Sequence, residues 1–111
     1  DFWLGVYFAE VGNSKSAEGY FRNVLKQNPS RTAAMIELVR LASMSNNINT
    51  MKEWIEATKT GKSNSEELML EIAMGASQFT ELNQETKVFA EQVLKLNPEN
   101  QFAKNIIRNM K

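Results

Sequence analysis

Along this chain apolar residues return every three to four positions, the period of a helix with one buried face. Phe2, Trp3, Leu4, Tyr7, Phe8 and Val11 make the first such run, and Gly12-Asn13 supplies its stop. Ser14 or Ser16 is placed to cap a second helix, with Glu18 in its first turn and Ala17, Tyr20, Phe21, Val24 and Leu25 on one face. Asn28-Pro29 ends it, because the residue before a proline is pushed out of the helical region. Ser30 then caps a third helix that turns Ala34, Met35, Leu38, Leu41 and Ala42 inward, up to a break at Ser45-Asn46-Asn47. Asn49 or Thr50 caps a fourth, with Met51, Trp54 and Ile55 inward, and Thr60-Gly61-Lys62-Ser63-Asn64 reads as a polar linker. Ser65, followed by Glu66 and Glu67, opens a fifth helix carrying Met69, Ile72, Ala73, Ala76 and Phe79. Asn83-Gln84 interrupts before a sixth helix with Val88, Phe89, Ala90, Val93 and Leu94, which stops at Asn97-Pro98. A last amphipathic segment holds Phe102, Ala103, Ile106, Ile107 and Met110. No stretch alternates with period two, so the chain reads as all-α, about seven helices and no sheet.

The pattern also recurs at long range. Val24-Leu25-Lys26-Gln27-Asn28-Pro29 returns as Val93-Leu94-Lys95-Leu96-Asn97-Pro98, 69 positions on. Leu38, Ala42, Met51 and Ile55 follow Leu4, Phe8, Ala17 and Phe21 by 34, and Ile72, Ala73, Ala76 and Phe79 follow Leu4, Gly5, Phe8 and Val11 by 68. One extra residue must therefore enter after Phe79, and the Asn83-Gln84-Glu85 turn has room for it. Leu4-Gly5, Phe8, Ala17, Phe21 and Pro29, at these spacings, resemble one unit of the tetratricopeptide repeat. That unit is a helix–turn–helix of about 34 residues. In its pattern small residues let paired helices approach closely, aromatics fill the space between them and the proline stops the second helix.

The resemblance implies a single domain over 1–111: an α-solenoid of antiparallel hairpins wound into a right-handed superhelix. Its repeats fall at about 1–31, 32–65 and 66–100, with a solvating cap helix at about 100–111. Four positions depart from the pattern. Val39 occupies the place of the small glycine, Ser63 that of the proline, and Thr86 and Ala90 those of Ala17 and Phe21. The first helix carries Phe2 and Trp3 with no element before it, and Asp1 begins inside a helical pattern without an initiator methionine. The expectation is a piece of a longer chain, with this apolar end either covered by upstream helices or used for self-association.

Composition narrows the chemistry. The 111 residues hold 13 basic and 13 acidic side chains and no net charge, so no global field draws nucleic acid or anionic lipid. No apolar run approaches the ~20 residues of a membrane span. Cysteine and histidine are both absent. That removes disulfides, thiolate ligands, a thiol nucleophile, the usual general base and Ser/His/Asp catalysis. A cysteine-free chain suits cytoplasm and bacterial periplasm alike.

The remaining candidates each have a plainer reading. Glu66, Glu67 and Glu71 have the composition of an acid–base pair or hard-metal site, but without histidine they read as a solvated helix start favoured by the helix dipole. Gly61-Lys62-Ser63 lacks the upstream glycine of a phosphate loop, and Asn28-Pro29-Ser30 is barred from glycosylation by its proline. Lys104, Arg108 and Lys111 form a basic stripe that keeps a cap helix soluble. Trp54, beside Met51, Ile55 and Lys59, reads as packing between repeats, and the six methionines as core filling. No catalytic residue, cofactor site or metal site is expected.

What is left is the face on which tetratricopeptide proteins act, a concave groove lined by the first helix of each hairpin. Carried over position by position, it takes Val6 and Glu10 from the first unit, Ile36, Arg40 and Met44 from the second, and Leu70, Met74 and Gln78 from the third. Val6, Ile36, Leu70 and Met74 give an apolar floor, and Arg40 is the single base, able to pair with Glu37 or with a ligand acid. The positions that clamp a C-terminal carboxylate in chaperone-binding members are here Phe2, Val6 and Glu37, which argues against that ligand. The resemblance thus implies a non-enzymatic scaffold or adaptor that binds a protein or peptide partner, without nucleic acid or membrane. Two alternatives stand beside it: a spacer or self-association domain using Phe2 and Trp3, and the recognition appendage of an enzyme elsewhere in the chain.

Overall fold

The computed structural model describes residues 1–58 and 64–110. Seven α-helices and no strand are present among them: α1 (Phe2–Glu10), α2 (Ser14–Gln27), α3 (Thr32–Met44), α4 (Ile48–Ala57), α5 (Glu66–Ala76), α6 (Asn83–Leu96) and α7 (Gln101–Asn109). A short 3-10 turn, Thr80–Leu82, precedes α6. Helices adjacent in sequence pack on one another, and in addition α3 lies against α5 and α5 against α7. The molecule measures 38 × 24 × 22 Å. The linker Thr60–Ser63, with Lys59, Gly61-Lys62-Ser63 and the proline-position Ser63, lies outside the described residues, as does Lys111.

The turns show most directly how sequence becomes structure. After α1, the Asn13 N–H donates to Phe8 O (2.8 Å) and the Gly12 N–H to Ala9 O; after α3, the Asn47 N–H donates to Ala42 O (2.9 Å) and the Asn46 N–H to Ser43 O. The same pair of bonds thus closes both turns, at the spacing that separates Phe8 from Ala42. In both, a residue with positive φ reverses the chain, Gly12 at +85° and Asn46 at +54°. The asparagine that follows caps the next helix, Asn13 Oδ1 accepting from the Ser16 N–H and Asn47 Oδ1 from the Thr50 N–H. The caps therefore sit earlier than Ser14 or Ser16 and Asn49 or Thr50, because the first residue after the reversal already directs its side chain at the free amides.

A second turn type recurs at Asn28 and Asn97. Each takes its backbone N–H to a valine carbonyl, Val24 and Val93. Each side-chain oxygen accepts from the amide two residues later, Ser30 or Glu99. Ser30 is occupied in that turn, its hydroxyl donating to Asn28 Oδ1, so it does not cap α3, whose N-cap position falls to Arg31 without a side-chain bond. In the copy, Asn100 caps α7 by accepting from the Ala103 N–H. The extra residue between these two registers lies in 77–82. There α5 has ended at Ala76, Phe79 stands outside the helix, and Asn83 begins α6 instead of interrupting it. Asp1 likewise is the cap of α1, accepting from the Trp3 and Leu4 amides.

The core runs through Phe21, Leu38, Val39, Met51, Met69, Ile72, Phe89 and Val93, all essentially inaccessible. Gly5 has no room for a side chain: a Cβ there would lie 2.7 Å from the ring of the fully buried Phe21. Thr86, buried at the place Ala17 holds in the first hairpin, satisfies its hydroxyl by donating to Leu82 O (2.9 Å). On α1 the expected apolar run divides. Phe2 and Phe8 pack inward, Phe2 edge-on to Phe21 and Phe8 stacked on Tyr20, whereas Trp3, Leu4, Tyr7 and Val11 face outward.

Candidate partner-binding groove

Two side chains tie α3 to α5 and define the face between them. Arg40 donates to Glu37 on its own helix (3.0 Å) and across to Glu71 (3.2 Å), and lies 3.8 Å from Glu67. Gln78 donates back to Ser43, to its carbonyl (3.1 Å) and its hydroxyl (2.9 Å). The hydrogen bond to Glu71, and then the charge of the surrounding carboxylates, raises the Arg40 pKa. One guanidinium shared by three carboxylates leaves the patch net negative. Arg40 is therefore engaged with the protein's own acids and is not held free for a ligand acid.

The expected groove residues separate on this geometry. Arg40, Met44, Met74 and Gln78 lie open on the α3–α5 face, with Met44 75% exposed. Leu70 and Val6 are half-buried against the core. Ile36, at 5% exposure, belongs to the core and presents nothing to a ligand, since its position on α3 turns it inward. Glu10 is exposed at the end of α1, and no hydrogen bond or ion pair among the described residues joins it to α3. Phe2 is half-buried, packed edge-on to Phe21 and with the Arg31 guanidinium 4.4 Å from its ring; Trp3, edge-on to Phe2, is the more exposed of that pair at 72%.

The face continues where the sequence reading did not take it. Between the end of α5, the 3-10 turn, the start of α6 and α7 lies a half-open cavity of about 530 Å3. Met74, Phe102, Ile106 and Met110 are its apolar lining, with Ser77, Thr80, Asn83, Thr86, Asn105 and Asn109 around them and no charged residue. Phe102 is 64% exposed and faces this space. The signal was in the sequence. The shift that maps Asn28-Pro29 onto Asn97-Pro98 also maps Ala33 and Glu37 onto Phe102 and Ile106, so α7 repeats the exposed side of α3 with apolar residues.

The candidate chemistry resolves elsewhere into structure. Glu66 accepts from Asn97 (2.9 Å) and Asn100 (2.7 Å), a latch between α5 and the α6–α7 turn, and these bonds, Asn100 first, hold its carboxyl below the usual range. Glu67 and Glu71 go to Arg40, so the three acids do not converge on one point. No cluster of three metal-ligating side chains occurs among the described residues. Lys104 pairs loosely with Glu99 at 3.8 Å, and no helix among the described residues is long and apolar enough to cross a membrane. Trp54 is buried under Arg22, whose guanidinium lies 5.2 Å from the ring and grips Glu53 with two bonds of 2.7 and 2.9 Å while also holding Glu18. Sequence alone did not mark Arg22 and Glu53, because their helices meet only after folding.

These features describe an all-helical protein with an acidic patch around Arg40, between α3 and α5, and an uncharged cavity between the end of α5, α6 and α7. Comparison with known proteins brings out no relative: no family model, curated protein or solved structure matches the chain at a significant level.

Proposed function

We propose that this chain is a non-enzymatic interaction module, a tetratricopeptide-like solenoid of helical hairpins that holds a segment of a protein partner across α3, α5 and α7. The recurrence of both turn types at repeat spacing supports the tetratricopeptide-like reading. The observation that carries the function is the uncharged cavity of Met74, Phe102 and Ile106, which shares α5 with two of the carboxylates around Arg40, Glu67 and Glu71. At about 530 Å3 it lies within the range of roughly 300–1,000 Å3 in which specific sites enclose their ligands. Its chemistry fits a bulky apolar side chain, with the partner's lysine or arginine lying toward Glu37, Glu67 and Glu71. Rigid helices present these groups already in place, so little ordering entropy is lost on binding.

Short random peptides displayed on phage and selected against the chain test this reading. The expected winners carry an aromatic or leucine beside a basic residue, and bind Met74→Glu and Phe102→Ser variants at least about tenfold more weakly. Both substituted residues are exposed, so thermal stability stays at that of the parent chain. Selected peptides that bind both variants as tightly as the parent would place the binding face elsewhere.

A further inference from the structure

We propose that a second copy of this chain covers the exposed face of α1, the two α1 helices packing antiparallel about a two-fold axis beside Tyr7. Trp3, Leu4, Tyr7 and Val11 are 72%, 43%, 56% and 58% exposed, the densest group of large exposed apolar residues among the described residues. Leu4, Tyr7 and Val11 follow the three-then-four spacing of a two-helix seam, with Trp3 alongside, on the side of α1 away from Gly5 and Phe21.

The chain itself shows what this position calls for. The residues 34 and 68 positions after Leu4 are Leu38 and Ile72, exposed by 1% and 0%. They sit on α3 and α5, each of which has another helix, α2 or α4, packed against it; α1 packs mainly on α2, on its inner side, and leaves these four side chains exposed. The Leu4 position is thus one that a packed helix covers elsewhere in this chain.

A second copy fits it for three reasons. The seam is nearly symmetric about Tyr7, so antiparallel pairing sets Tyr7 against Tyr7 and Trp3 of each copy against Val11 of the other, the self-complementarity an isologous contact needs. The only charged side chain within α1 is Glu10, which antiparallel pairing sets beside the other copy's Trp3 and away from its Glu10. The four side chains expose roughly 450 Å2 per copy, so pairing removes roughly 900 Å2, the size of a weak and reversible interface. With no net charge on the chain, no long-range repulsion opposes association.

Because the chain has no cysteine, single cysteines report the geometry without background. Sedimentation equilibrium of the parent is expected to rise from 12.6 kDa toward twice that mass over micromolar concentrations, and Tyr7→Lys to stay monomeric with unchanged helical signal and melting temperature. Under mild oxidation Tyr7→Cys links to itself, and a mixture of Trp3→Cys with Val11→Cys yields the mixed dimer. A parent that stays monomeric at every concentration overturns the proposal, as does growth beyond the dimer, which would mean head-to-tail stacking. Self-linked Trp3→Cys with no mixed product would mean parallel pairing and overturns it equally. The groove across α3, α5 and α7 lies on other residues, so peptide selection on that face succeeds or fails independently.

Discussion

At the scale of single residues, Gly5 sits against the ring of Phe21 with no room for a side chain. The two positions hold glycine and phenylalanine in the first hairpin, Val39 and Ile55 in the second, and Ala73 and Ala90 in the third, all of them buried. One helix interface has thus been filled in three ways, with the fully buried Phe89 one position before Ala90 supplying bulk in the last. Glycine costs a helix about 1 kcal/mol relative to alanine, so Gly5→Ala would stabilise an open site. Here the added methyl meets a ring that is 0% exposed and cannot swing away, and overpacking costs roughly 1–3 kcal/mol. Gly5→Ala is expected to lower the urea midpoint, with a net loss of up to about 2 kcal/mol. An unchanged or raised midpoint would show that Phe21 yields. Leu4-Gly5 and Phe21 were legible from spacing alone. The distance that makes glycine obligatory was not, since Val39 holds the same register without penalty.

At the scale of elements, Arg22 fastens α2 to α4. It stacks on Trp54, takes Glu53 with both terminal nitrogens and holds Glu18 through Nε. The hydrogen bond from Arg22, ahead of its charge, keeps the Glu53 carboxyl below its ordinary value. A carboxyl depressed in the folded state adds stability above the unfolded value of about 4.3, and that contribution is lost as pH falls through the folded value. Both side chains are more than a third exposed, so solvent screening limits the ion pair to under about 1 kcal/mol. Arg22→Met should therefore melt lower than the parent at pH 7 and lose less on acidification from about pH 5 to pH 3. Parallel melting curves across that window would remove Glu53 from the acid response. The Glu66 latch, which tightens on the ionised carboxylate, loosens over the same direction of pH.

At the scale of the whole molecule, stability is distributed unevenly. α3 is packed on α2, α4 and α5, and α5 on α3, α4, α6 and α7, whereas α1 rests mainly on α2 and exposes a full side. Helices with few packed neighbours open before those packed on several. Native-state hydrogen exchange should find the slowest amides in α3 and α5, exchanging only with global unfolding, and the α1 amides opening locally at low denaturant. Uniform protection from α1 to α7 would mean that the chain unfolds as a single unit. If two copies pair through α1, its protection should rise with protein concentration while that of α7 does not.

The sequence by itself determined the seven helices among the described residues and most of their inward residues, because helical period and proline and asparagine stops are local signals carried by the chain. Ser65 caps α5 as its position suggested, whereas the caps of α2 and α4 fall earlier than Ser14 or Ser16 and Asn49 or Thr50, at asparagines that follow a positive φ, and that of α3 falls one residue after Ser30. Only the tertiary structure decided which apolar residues are covered. The same spacing buries Leu38 and Ile72 and leaves Leu4 open, since a periodic face says nothing of whether another helix lies on it. It also decided that Ile36 leaves the groove, that Arg40 is taken up by its neighbours, and that Met74, Phe102 and Ile106 converge on one cavity. Each of those outcomes depends on side chains distant in sequence being brought together across helices, as Arg40 meets Glu71 and as Met74 and Phe102 come to line one cavity, and geometry of that kind is set by packing, not by pattern.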